Sequence, residues 1–336
     1  MTLTISEKIK EINVLMTIFV VALHIMTWEN RMWTLRIIVN MAIPLFFVIS
    51  SYLYFQNYSF TWKCYKNKVL SRLKSLYIPF IIYNIIYIPW MLFKLYILHF
   101  PDTRQISILS IDTITSIIVG LPETLNPVLW FLRVLIVFVF LAPIIGIIVT
   151  YLKWIIIPLS IIYILFIHHF DYYSFLYWIP CLLLGTYLSF YENKILQLLV
   201  KIKKNMKNII YLNLTIISYF IFFIFFLKDR DIDYSYHYFI YRMTIPYIVI
   251  VFYSTINHIL PKKIINMISP YTFPIYCMHI VFVNMSVIFI SLIIPNQWFL
   301  LIQLISFILA FTLVFFVCKM LSRSVFLWPL LTGFRN

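Results

Sequence analysis

Apolar runs of about twenty residues follow one another along almost the whole chain, with only short polar breaks between them. A hydrocarbon core about 30 Å thick requires roughly 20 apolar residues in a helix that crosses it. The runs lie near 11–28, 34–55, 76–98, 128–150, 154–168, 173–191, 209–227, 237–259, 271–293 and 298–321. The sequence therefore predicts an all-α, polytopic membrane protein with about ten transmembrane helices.

The composition excludes an ordinary soluble protein. Hydrophobic residues make up 63% of the chain and charged residues 11%, whereas soluble domains have about half and about a quarter. Polar breaks are too short to form a separate soluble domain. We expect one transmembrane domain over residues 1–336.

The net charge of +15 reflects membrane insertion rather than binding of nucleic acid, because the basic residues lie in short clusters between apolar runs. One alternating set of loops, which includes both termini, holds 18 Lys and Arg residues, and the opposite set holds 6. Basic loops stay in the cytoplasm. The pattern predicts a multi-pass protein of the inner (plasma) membrane with both termini cytoplasmic.

The cysteines carry no sign of a metal site or a disulfide framework. Cys64, Cys181, Cys277 and Cys318 are scattered, without CxxC or Cys/His spacing, in or beside apolar runs. We expect them to be packing residues and expect no metal ligands among them.

His24 is an ionisable residue within the first predicted span, about twelve residues from its start, or roughly 18 Å along a helix. Ionisable side chains inside a span are costly, so each is a candidate for function. A neutral histidine in a polar cavity can deprotonate a hydroxyl group. The alternative is a structural histidine that is hydrogen-bonded to a neighbouring helix.

Three more ionisable residues fall inside predicted spans. Arg133 and Arg242 lie a few residues inside the outer ends of theirs, and His279 lies near mid-membrane. The arginines can extend to the outer surface or point inward as donors for a carboxylate, a phosphate or an oxyanion. His279 can serve catalysis or bridge two helices.

A basic cluster precedes the third span: Lys63, Lys66, Lys68, Arg72 and Lys74. Such a cluster attracts anionic lipid and sets topology. It equally suits the phosphates of a cytosolic donor that carries a nucleotide.

Five segments, 19–24, 42–53, 71–80, 129–133 and 273–279, occur in the order and at the spacing found in the acyltransferase 3 family of bacterial integral-membrane acyltransferases. They include His24 in the first span, Arg72-Leu73-Lys74 before the third, Trp130 with Arg133, and His279 in a late span. No single segment is specific, but the ordered set resembles this family over nearly the whole chain.

The resemblance implies transfer of an acyl group, most often acetyl, from cytosolic acyl-CoA to a hydroxyl of a cell-surface polysaccharide or its lipid-linked precursor. It implies that His24 is the catalytic base and that Arg72 and Lys74 bind the donor. The expected substrate cavity is lined by Trp130, Arg133, Arg242, Tyr276 and His279. Acetyl-CoA, or another acyl-CoA, is then a substrate rather than a bound cofactor, and the other expected partners are the glycan acceptor and the bilayer.

The chain departs from the family pattern at three positions. The arginine usually found eleven residues before the helix-one histidine is Asn13, the second arginine of Arg-x-Arg is Lys74, and a frequent glycine is Ser51. Asn13 removes a charge and Lys74 lacks the planar fork of arginine. These changes leave an alternative function open: export of a glycan or lipid-linked precursor without acyl-transfer chemistry.

Overall fold

The computed structural model describes residues 5–26, 33–98, 110–121, 123–166, 171–195, 197, 205–227, 236–255 and 259–334. Throughout these ranges the regular secondary structure is helical, and they contain no strand. The predicted all-α class is confirmed.

The helices are α1 Ile5–Met26, α2 Trp33–Val39, α3 Ala42–Phe55, α4 Trp62–Arg72, α5 Ile78–Tyr96, α6 Ile111–Ile118, α7 Trp130–Leu152 and α8 Ile156–Phe166. They continue with α9 Phe175–Phe190, α10 Met206–Phe226, α11 Tyr236–Thr255, α12 Lys262–Ile268, α13 Thr272–Ile293, α14 Phe299–Leu321 and α15 Leu327–Thr332. A π-helical segment, Leu73–Tyr77, joins α4 to α5 and is called the π turn below.

Seven helical stretches of the described chain are long and apolar enough to cross a membrane. They are Glu7–Met26, Leu35–Phe55, Trp62–Tyr96, Pro127–Ser160, Lys207–Phe226, Lys262–Ile293 and Asn296–Leu321. Each contains or overlaps one of the predicted spans, so the membrane character of the protein is confirmed.

The other predicted spans near 154–168, 173–191 and 237–259 correspond to α8, α9 and α11. Helices α8 and α9 have 11 and 16 residues, which is short for a perpendicular crossing of a core about 30 Å thick. Helix α11 has 20 residues but carries Arg242 and several polar side chains. The exact number of spans therefore stays a prediction.

The helices form two compact units. Unit 1 comprises Met1–Cys64 and Leu141–Pro270, and unit 2 comprises Tyr65–Phe140 and Tyr271–Asn336. Each unit is assembled from separate stretches of the chain. The prediction of a single domain over residues 1–336 stays a prediction.

The tightest helix contact in unit 1 joins α3 and α9. A Cβ added at Gly185 would lie only 2.2 Å from the carbonyl oxygen of Val48, so glycine allows the two backbones to touch. Beside it, the Ser51 hydroxyl bonds the Leu182 carbonyl at 2.6 Å and the Thr186 hydroxyl at 2.8 Å. Ser51, the departure from the family glycine, is thus accommodated by a glycine on the facing helix.

The corresponding helix pair in unit 2 is α13 with α14. Small buried residues, Ser286, Ser306 and Ala310, lie along the two helices, and the Ser306 hydroxyl donates to the Ser286 carbonyl over 3.4 Å. Helix α15 packs on α5, where the buried Tyr83 hydroxyl donates to the Leu331 carbonyl at 3.2 Å.

Candidate functional site

His24 lies in the last turn of α1, in unit 1, and is partly exposed. Helix α1 begins at Ile5 and ends at Met26, whereas the predicted span was 11–28. The helix begins before the apolar span because the mostly polar segment from Ser6 to Lys10 is also helical. His24 is therefore close to the end of its helix, and its role as a base stays a prediction.

Arg242 is directed inward in unit 1, with 1% of its surface exposed. Its Nε donates to Asn40 Oδ1 at 3.2 Å, and its Nη1 donates to the Tyr177 hydroxyl at 3.1 Å. The guanidinium carbon lies 4.3 Å from the ring centre of Tyr172 and 5.7 Å from that of Tyr238. Of the two orientations open from sequence, the inward one is observed.

These partners come from different parts of unit 1. Asn40 follows α2, Tyr172 precedes α9, Tyr177 is in α9, and Tyr238 is on α11 itself. Hydrogen bonds to a charged group and cation–π contacts are strong where water is excluded. Arg242 therefore ties these elements together, in addition to any role in a substrate cavity.

Arg72 and Lys74 lie at the junction of α4 and α5 in unit 2. Arg72 is the last residue of α4 and is partly exposed, and Lys74 is the second residue of the π turn and is exposed. Lys63 and Lys66, on α4, are exposed as well. Lys66 and Lys74 thus present positive charge at the surface of unit 2, where a dissolved anion can reach it.

Arg133, three residues into α7, is partly exposed and turns toward the end of α6. Its Nη1 donates to the Gly120 carbonyl oxygen at 2.5 Å. Gly120 has φ +77°, a conformation that favours glycine. The arginine thus fixes the turn that follows α6.

Tyr276 and His279 lie in one hydrogen-bonded group with the start of α7. The Tyr276 hydroxyl donates to the Val128 carbonyl at 2.5 Å, and its ring meets that of Phe131 at 5.5 Å. His279 Nδ1 lies 2.6 Å from the Tyr276 carbonyl oxygen. Trp130 is buried at the first turn of α7, so the structure brings Trp130, Tyr276 and His279 into the same part of unit 2.

The contact of His279 determines its tautomer. A carbonyl oxygen only accepts, so Nδ1 carries the proton in this hydrogen bond. In the neutral ring Nε2 then holds the lone pair. His279 is fully buried, and its orientation is set by its own helix.

Two asparagines that the sequence analysis did not single out organise this part of unit 2. Asn126 Nδ2 donates to the Cys277 carbonyl at 3.0 Å, and the Asn126 N–H donates to Asn84 Oδ1 at 2.9 Å. Asn126 Oδ1 also caps the turn that begins at Pro127. The Asn-Pro pair before an apolar run was the available signal, since it is typical of a helix start.

Glu11 was also missed. It is fully buried on α1 and accepts hydrogen bonds from the backbone N–H groups of Ile259 and Leu260 at 2.6 and 2.7 Å. Nearby on the same helix, Lys8 Nζ donates to the Tyr253 carbonyl at 2.7 Å. In the sequence, Glu11 looks like part of a charged helix start exposed to water, and no local pattern distinguishes it.

The site residues therefore divide between the units. His24 and Arg242 belong to unit 1, and the remaining predicted site residues, Arg72, Lys74, Trp130, Arg133, Tyr276 and His279, belong to unit 2. All four cysteines are free thiols, with Cys181, Cys277 and Cys318 buried as predicted for packing residues.

Comparison with known proteins identifies one family. The profile of the acyltransferase 3 family, described as an acyltransferase domain, matches residues 12–323. No curated protein and no solved structure matches the chain significantly. The match covers nearly the whole chain and every predicted site residue. This helical membrane protein belongs to the acyltransferase 3 family.

Proposed function

We propose that this membrane acyltransferase moves an acetyl group from acetyl-CoA to a hydroxyl of a cell-surface polysaccharide or of its lipid-linked precursor. The observation that carries the proposal is the family match over residues 12–323, which includes His24 and Arg72-Leu73-Lys74. Family membership supports acyl-transfer chemistry over export alone. The partial exposure of both His24 and Arg72 is compatible with contact to substrates that bind and leave.

The donor is held through its phosphates by Arg72 and Lys74. Arginine offers a planar fork of donors to a phosphate, and lysine adds a point charge. The exposure of Lys74 and the partial exposure of Arg72 support this role. The distribution of 18 and 6 basic residues between the two sets of loops supports a cytoplasmic location for this cluster, where acyl-CoA is made.

His24 acts as the general base. Its neutral ring takes the proton of the acceptor hydroxyl while the hydroxyl oxygen attacks the thioester carbonyl carbon. The tetrahedral intermediate collapses with cleavage of the carbon–sulfur bond, and protonated His24 gives the proton to the coenzyme A thiolate, which restores the neutral histidine. The products are the acetyl ester and coenzyme A.

The remaining predicted residues position the substrates. Trp130, Tyr276 and His279 share one hydrogen-bonded and aromatic group in unit 2. Fixed groups of this kind lower the cost of orienting a substrate. Arg133 is the candidate for stabilising negative charge on a substrate or intermediate, and Arg242 holds the elements around it in place for the substrate cavity.

The test is the acyl ester on the surface glycan of cells that carry His24→Ala or His24→Gln. Both variants should insert normally and leave the glycan on the surface, yet remove its acetyl ester, because positioned base catalysis is worth roughly 10²- to 10⁴-fold in rate. Glutamine can keep a bridging hydrogen bond but cannot accept the proton.

Mass spectrometry of the surface glycan reads the result. Full acetylation in both variants would contradict the catalytic role of His24. Loss of the glycan itself from the surface would favour the exporter.

A further inference from the structure

The π turn interrupts one long helical stretch directly beside the proposed donor-binding residues. It follows Arg72 and contains Lys74, and its bond from the Ile78 N–H to the Leu73 carbonyl spans five residues instead of four. Each extra residue in a helix rotates the side chains that follow by about 100° relative to those before. The π turn therefore determines how the basic residues of α4 are oriented relative to α5.

π-helical segments are rare and occur often at functional sites. The π turn is contacted by Gly333, which is buried and follows α15. A Cβ at Gly333 would lie 2.4 Å from Ser75 Cα and 2.7 Å from the Ser75 carbonyl oxygen. The backbone of residue 333 therefore rests directly on the backbone of the π turn.

The conformation of Gly333 is itself specific. Its φ is +65°, in the left-handed region where glycine is favoured. The Phe334 N–H donates to the Pro329 carbonyl at 2.7 Å and closes the turn. Two independent features, backbone angle and lack of space, thus require glycine at this position.

A second contact holds the same segment. The Tyr83 hydroxyl on α5 bonds the Leu331 carbonyl at 3.2 Å, and the rings of Tyr271 and Trp328 meet at 5.6 Å. Residues 327–334 are therefore held by two contacts. Tyr83 of α5 bonds Leu331, and Tyr271, just before α13, packs on Trp328.

We infer that the backbone of residues 327–334, through the contact of Gly333 with Ser75, maintains the π turn and so holds Arg72 and Lys74 in the orientation that binds the phosphates of the acyl donor. Gly333 is in this view a positioning residue for donor binding. The inference rests on the proposed function, because it takes Arg72 and Lys74 as donor ligands.

The experiment compares steady-state kinetics of purified Gly333→Ala and wild-type protein, with acetyl-CoA varied at saturating acceptor and the acceptor varied at saturating acetyl-CoA. We expect the KM for acetyl-CoA to rise about tenfold, which corresponds to about 1.4 kcal/mol. The kcat and the KM for the acceptor should change less than twofold. A defect in folding alone would lower the amount of active protein and leave the KM for acetyl-CoA unchanged.

Phe334→Ala is the matched control. Phe334 is exposed, adjacent to Gly333, and its side chain is not part of the backbone contact. The control should keep the KM for acetyl-CoA of the wild type. An equal rise of this KM in Phe334→Ala would overturn the specific role of residue 333.

Tyr83→Phe tests the inference if Gly333→Ala does not fold. The variant removes the bond to Leu331 without adding an atom, and we expect a two- to threefold rise of the KM for acetyl-CoA. An unchanged KM in Tyr83→Phe, or in folded Gly333→Ala, would overturn the inference. If Arg72→Ala also leaves this KM unchanged, the proposed donor site itself is wrong; if Arg72→Ala raises it, only the positioning role fails.

Discussion

Unit 1 encloses Arg242 and leaves His24 partly exposed, whereas unit 2 encloses His279 and leaves Arg72 partly exposed. In unit 1 the arginine is buried and the histidine is partly exposed. In unit 2 the histidine is buried and the arginine is partly exposed. Hydrogen bonds fix the orientation of both buried residues: Arg242 donates to Asn40, and His279 donates to the Tyr276 carbonyl oxygen.

The difference separates two uses of a basic side chain in a membrane protein. A buried arginine is retained when the surrounding groups offset the cost of removing it from water. A partly exposed residue is open to contact with a ligand. We therefore expect changes at Arg242 to act mainly on stability, and changes at His24 and Arg72 to act mainly on reaction rate or donor affinity.

The largest effect should distinguish the two histidines. His24→Gln should lower kcat by roughly 10²- to 10⁴-fold because the proposed base is lost, while His279→Gln should lower it by about tenfold or less because the proposed role of residue 279 is to position the substrate. Assays of both purified variants with saturating substrates give the comparison. Equal losses in the two variants would remove the distinction between the histidines.

The next effect concerns the buried arginine. Arg242→Met should destabilise the protein by about 2–4 kcal/mol, because Asn40 and Tyr177 lose a charged donor and the tyrosine rings lose a cation. Arg72→Met is the control and should change stability little. The reaction of the buried thiols with a dye during heating measures unfolding of both variants. Identical unfolding curves for Arg242→Met and the wild type would show that the buried arginine does not stabilise unit 1.

A smaller effect is expected for the exposed basic cluster. Arg72→Ala should raise the KM for acetyl-CoA by about 10- to 100-fold, since hydrogen bonds to charged groups contribute about 1.5–3 kcal/mol. Lys63→Ala, which removes an exposed charge at the start of α4, should have little effect, because topology depends on the summed charge of the loops. Small and equal effects of the two changes would favour a role of the cluster in orientation alone.

The smallest effect compares the same substitution in the two units. Ser51→Ala should lower the free energy of unfolding by about 1 kcal/mol, because the Ser51 hydroxyl makes short hydrogen bonds to α9 at 2.6 and 2.8 Å. Ser306→Ala should lower the free energy of unfolding by about 0.5 kcal/mol or less, because the hydrogen bond from Ser306 to Ser286 is 3.4 Å long. The thermal unfolding assay measures both. A larger loss for Ser306→Ala would reverse the ranking of the two helix contacts.

Much of the fold follows from the sequence, because the length and spacing of apolar runs reflect the thickness of the bilayer. Helices were found at all predicted spans, and the family match agrees with the ordered motifs. The early start of α1 was missed because a helix can continue past the end of its apolar run. The sequence alone does not determine the direction of Arg242, because its partners Asn40 and Tyr177 are distant in sequence.

The support for the candidate site was harder to predict. The π turn reads as an uninterrupted helical pattern, and its partner Gly333 lies at the other end of the chain. Glu11 is near charged residues that would suit a helix exposed to water. In each case the deciding contact is long-range, so local periodicity carries no information about it.

The contact between α3 and α9 has a consequence for synthesis of the protein in the cell. The bond from Ser51 to Leu182 joins residues 131 positions apart. At about 5–20 residues per second, translation needs roughly 7–26 s to make the intervening chain. During that time α3 lacks α9, the helix that accepts the hydrogen bond from the Ser51 hydroxyl and contacts the backbone of α3. Unit 1 can therefore complete this contact only after α9 has been synthesised, which leaves an interval in which the α9-facing side of α3 has no partner from this contact.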